Sequence, residues 1–135
     1  MELTTGITRT AGILLLTIVA VEYGGLFMFA IHRGKREFTD FQKASFRAGH
    51  AHAGVLVILS LVALVYANSL DLSGLAGLIG RSAIPLAAIL MPAGFFLSAM
   101  GSGRTKPNRF MYLVYLGALS LGVGVVTLGV ALLTV

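Results

Sequence analysis

Four runs of the chain are each long and apolar enough to cross a lipid bilayer, and this restricts the fold more than any other feature of the sequence. Crossing about 30 Å of hydrocarbon as a helix takes roughly 20 consecutive apolar residues. Residues 11–31, 46–67, 84–100 and 110–134 meet or approach that length. Inside hydrocarbon each peptide group must be satisfied within its own segment, so each run reads as a helix. The expected architecture is all-α: a single domain over residues 1–135, folded as a polytopic bundle of four transmembrane helices. With 57% hydrophobic and 11% charged residues, the chain has too little polar surface to cover a water-soluble globule.

The net charge of +5 would suggest nucleic acid in a soluble protein. Here the basic residues sit in short segments between apolar runs, where they act as topology signals, so no nucleic-acid partner is expected. Arg33, Lys35, Arg36, Lys43 and Arg47 lie around the first connection, and Arg104, Lys106 and Arg109 around the third. Only Arg9 and Arg81 fall on the other side. An excess of Lys and Arg on one side marks the cytoplasm. The expectation is therefore an inner-membrane protein with cytoplasmic basic loops and both termini outside. There is no cysteine, which excludes disulfides, thiolate metal sites and c-type haem attachment.

The third run is the shortest and holds two prolines. Pro85 suits a first helical turn, whereas Pro92 deprives the Ala88 carbonyl of its helical partner and should kink the span. The preceding stretch from Ser69 to Gly80 is glycine-rich and nearly uncharged, and it is expected to lie as a connection at the outer interface. In the last run Gly117, Ser120, Gly124, Thr127 and Ala131 share one helical face. Gly122 and Gly129 mark a second. Small side chains let membrane helices approach closely, so one face would serve the chain's own bundle and the other a second copy, giving a homo-oligomer. The plainer alternative is that glycine is frequent in membrane helices.

Few polar side chains lie inside the spans. Glu22 is about 13 Å from the end of its helix at 1.5 Å per residue, close to the midplane. A carboxyl there is costly and is usually retained as a proton carrier, for a partner on another helix, or beside a water-filled cavity. Packing alone, with Glu22 bonded to a carbonyl, is the plainer reading. In FRAGHAHAGVLVILSLV, Phe46 to Val62, His50 and His52 open the second span among small residues that leave room for something flat. Residues two apart on a helix point about 200° apart, so the two rings address different neighbours. Haem ligation, metal ligation and proton relay are chemically open to them. So is a plain interfacial role, binding water or loop carbonyls.

GHAHAG, Gly49 to Gly54, resembles the helix of haem-copper oxidases, above all the cbb3-type catalytic subunit, in which two histidines two apart bind two haems from opposite faces. The resemblance implies haem ligation by His50 and His52, although this chain has too few spans and histidines for an oxidase. The longer stretch KREFTDFQKASFRAGHAHAG, Lys35 to Gly54, resembles small, functionally uncharacterised four-span bacterial membrane proteins. These carry an REFT element after the first helix, matched here by Arg36, Glu37, Phe38 and Thr39. Physically, Arg36, Glu37 and Asp40 could form an ionic cluster near His32 and His50. A solvated turn is the favoured reading, because surface ion pairs contribute little.

Three functions are compatible with these residues. The first is a redox-associated or sensory protein holding haem b or a transition metal through His50 and His52, with His32, Met28 or a second subunit's histidine as a further ligand. The second is an accessory or structural subunit of a larger membrane complex, without chemistry of its own. The third is a proton-coupled transporter. Small multidrug-resistance exporters are similar in having four helices, one glutamate in the first and glycines seven apart in the last, like Gly122 and Gly129, and this likeness implies Glu22 as proton carrier. No nucleophile triad, carboxylate pair or phosphate-cradling glycine loop can be assembled, so an enzyme is not indicated.

Overall fold

The computed structural model describes residues 4–34, 37–70 and 72–134. Their fold is four helices: α1, Thr5–His32; α2, Asp40–Ser69; α3, Gly74–Ser98; and α4, Tyr112–Leu133, which a single 3-10 turn at Arg109–Met111 introduces. All four are long and apolar enough to span a membrane, and no strand occurs among the described residues. The chain is an all-α, membrane-spanning four-helix bundle.

Three helices begin earlier than their apolar runs: α1 at Thr5, α2 at Asp40 and α3 at Gly74. α2 starts at Asp40 rather than Phe46 because Thr39 caps it. The Thr39 hydroxyl accepts from the Gln42 backbone N–H at 3.2 Å, and the Gln42 side-chain carbonyl accepts from the Thr39 N–H at 3.2 Å, a reciprocal capping box. α3 starts at Gly74, so most of the stretch expected to be an interfacial connection is helical and Pro85 lies well inside the helix instead of in its first turn. Two of the glycines there, Gly77 and Gly80, serve close packing. A Cβ on Gly77 would sit 2.5 Å from the Leu72 carbonyl oxygen, and one on Gly80 would sit 3.1 Å from Leu128. Arg81 donates back to that Leu72 carbonyl at 2.9 Å. Pro92 is buried in the interior of α3.

Successive helices pack side by side, with α3 between α2 and α4 and with α1 resting on α2. Lipid tails match leucine in polarity, so contact here depends on small residues that let backbones approach. Between α3 and α4 the fit is tight from both sides. A Cβ on Gly117 would sit 2.5 Å from Met91, one on Gly124 would sit 2.8 Å from Ile84, and one on Gly94 would sit 2.6 Å from the Val114 backbone nitrogen. Ser120 adds a cross-helix bond, donating to the Ala83 carbonyl at 2.7 Å. Thus the face holding Gly117, Ser120 and Gly124 serves the chain's own bundle, while a Cβ on Gly122 or Gly129 would meet nothing within 4 Å. α1 is the least enclosed helix. Only 6% of its most apolar window is buried, against 33% for α2 and 39% for α3.

Candidate functional site

Because α1 leans mainly on α2, a groove of about 1110 Å³ opens between α1 and α3 with α2 as its floor. Along α1 its walls extend from Thr10 to Ala30, a length of about 30 Å at 1.5 Å per residue. Most of the wall is apolar, including Leu14, Val21, Val57 and Ala88. Polar groups gather toward the end bearing the basic loops, where Glu37, Gln42 and the backbone of Gly101 and Gly103 complete the lining.

His50 is the imidazole on this groove. It is half-buried and forms no hydrogen bond among the described residues. Gly24 and Gly25 of α1 lie against the ring: a Cβ on Gly24 would be 3.2 Å from Nδ1, and one on Gly25 would be 3.6 Å from Cε1. The glycine pair is therefore what lets α1 close over the histidine. One residue earlier on α2, Gly49 admits Phe96, whose ring would approach a Cβ there to 2.9 Å.

His52 is engaged elsewhere. Its Nδ1 lies 2.7 Å from the Ala48 carbonyl oxygen, one turn back, and its ring stands 5.0 Å from that of Phe95 on α3. The two imidazoles thus face different helices, α1 for His50 and α3 for His52, as their spacing requires. His32 ends α1 and lines a separate cleft with Lys43 and Arg47, as does Met28. No group of three His, Asp or Glu side chains close enough to hold a metal ion occurs among the described residues. Glu22 is exposed and does not line the groove. It lies two residues before Gly24, hence about 200° around the helix from the glycine that lines the groove.

Phe38 and Thr39 of the REFT element are half-buried and tie it to the bundle, while Glu37 and Asp40 are exposed. Phe38 stacks edge-on with Phe27 and Phe46, at centroid distances of 6.0 and 5.2 Å, and Phe46 stacks on Phe96 at 5.6 Å. The Thr39 hydroxyl donates to the Arg104 carbonyl. Gln42, 2% exposed, donates through Nε2 to the carbonyls of Ala99 at 2.9 Å and Gly101 at 2.7 Å. All of its amide groups are therefore bonded, as a buried amide needs. Gly101 makes the return turn with φ +117°, which L side chains rarely adopt. Lys35 and Arg36 lie outside the described residues, and with them the Arg36 side of the expected ionic cluster. Asp40 pairs with Lys43 at 3.6 Å on the surface. Gln42 does not stand out in the sequence as a site residue, although the T-x-x-Q spacing from Thr39 to Gln42 is a capping signal.

The arrangement can seat a long apolar molecule whose polar or flat head meets one imidazole. Comparison with protein-family models, with curated proteins and with solved structures yields no match, so the chemistry of the site rests on its own geometry.

Proposed function

We propose that this chain is a small integral membrane protein that binds an elongated, mostly apolar ligand in the groove between α1 and α3, with His50 as its polar contact. The observation that carries the reading is the half-buried His50 ring, unbonded among the described residues, on an apolar groove that follows α1 for most of its length. Ligand sites are typically concave, apolar and furnished with a few polar groups. Of the expected cofactors, haem b fits with His50 as its one protein ligand from this chain. His52 is turned to Ala48 and Phe95, and His32 belongs to another cleft. A bare transition metal has no ligand set here among the described residues. When bound, haem would supply electron transfer or gas sensing.

The charge pattern supports an inner-membrane orientation with the basic connections in the cytoplasm and both termini outside. The test is to purify the protein from membranes, record its visible spectrum, and identify extracted small molecules by mass spectrometry. A haem Soret band or a stoichiometric lipid-soluble molecule, lost in His50→Ala and kept in His52→Ala, is the expected result. A wild-type protein that carries neither, even after haem supplementation, overturns the reading.

A second reading has its own observation. Glu22 lies exposed on the least covered helix, and a carboxyl facing lipid near mid-depth is costly unless something covers it. This favours a partner on α1, either a second copy or a subunit of a larger complex. Disulfide trapping through Ile18→Cys or Val19→Cys tests it, with failure to cross-link in native membranes counting against it. The transporter reading gains nothing from the monomer, because Glu22 and the groove are on different sides of α1.

A further inference from the structure

A second concavity, about 590 Å³, lies where the end of α1 meets the start of α2. Its rim is basic: His32 from α1, with Lys43 and Arg47 from α2. Its floor is apolar, formed by Met28, Phe29, Ile31 and the bare backbone of Gly25. From His32 down to Gly25 is about 10 Å along the helix, so the cleft descends from the headgroup level into the acyl region. Lys43 and Arg47 are one turn apart and share a face, where like charges repel each other. Arg47 has no ion pair among the described residues, and the only carboxylate on Lys43 is that of Asp40, whose side chain is fully exposed. Such a pair leaves the ammonium free to take another anion. Arg33 sits over the Phe29 ring at 5.1 Å and adds a further positive charge beside the cleft.

We infer that this cleft binds the phosphate of an anionic phospholipid, with Lys43, Arg47 and His32 around the headgroup and an acyl chain along Met28, Phe29 and Gly25. A soluble phosphate would meet the same cations, but it has no use for a floor that is apolar for two turns of helix. Basic pockets between membrane helices favour anionic headgroups for this reason.

Native mass spectrometry of the full chain in detergent, titrated with phosphatidylglycerol or phosphatidylcholine, reads the site directly. Wild-type protein should retain phosphatidylglycerol in preference to phosphatidylcholine, and millimolar inorganic phosphate should not displace it. The double variant Lys43→Ala, Arg47→Ala should lose roughly tenfold in phosphatidylglycerol affinity, while Arg104→Ala, Lys106→Ala, at the same end of the bundle, should not. Equal retention of the two lipids by wild type overturns the inference without need of any variant. Equal losses in both double variants overturn it in favour of a diffuse basic surface. Displacement by inorganic phosphate overturns the lipid assignment and leaves a free-phosphate site.

Discussion

The His50 imidazole lies directly on the backbone of α1 at Gly24, so closely that a Cβ there would stand 3.2 Å from Nδ1. The first helix is thus held to the second partly by the absence of a side chain. Gly24→Val should push α1 off α2, lower the thermal unfolding midpoint and reduce occupancy of the groove. Gly12→Val, on the same helix with nothing within 4 Å, should do neither. Differential scanning fluorimetry with extraction of bound ligand checks both.

Gln42 ties the start of α2 to the turn between α3 and α4 through two carbonyls. Gln42→Ala leaves both acceptors without that donor, at about 1–3 kcal/mol. Gln42→Glu should be worse, since a carboxylate cannot donate to either. Thr39→Ala, which removes the cap, should cost about 1 kcal/mol. Unfolding in graded denaturing detergent, followed by circular dichroism, ranks the three variants.

The two glycine faces of α4 should respond oppositely to the same change. Gly117→Val and Gly124→Val drive methyl groups into Met91 and Ile84, and overpacking of this kind costs about 1–3 kcal/mol. Gly122→Val and Gly129→Val meet open space and should leave monomer stability unchanged. If a second copy packs there, these two variants alone should shift the oligomer distribution in blue-native electrophoresis.

The two histidines should also separate. His52→Phe loses the bond to the Ala48 carbonyl, yet keeps a ring against Phe95, so ligand content should hold. His50→Phe keeps the packing on Gly24 and Gly25 and removes the nitrogens, so the fold should hold and ligand content should fall. Equal ligand content in the two variants would detach the groove's function from His50.

Four spans were legible in the sequence because hydrocarbon tolerates only long apolar helices, and that requirement is written in consecutive residues. That α4 carries two small-residue faces was legible from the helical spacing of Gly117, Ser120 and Gly124 and of Gly122 and Gly129, but which of them turns inward was not. Helix ends were less legible: α3 begins within a glycine-rich stretch that reads as a loop, and only its fit against Leu72 and Leu128 makes it helix. The spacing of His50 and His52 determined that they look in different directions. Which of them meets a cavity, and that Glu22 and His32 do not join it, depended on the rotation of α1 and α3 about their axes. That rotation is set by packing between helices distant in the chain, through Gly24, Gly49 and Phe95, and no local pattern of residues specifies it.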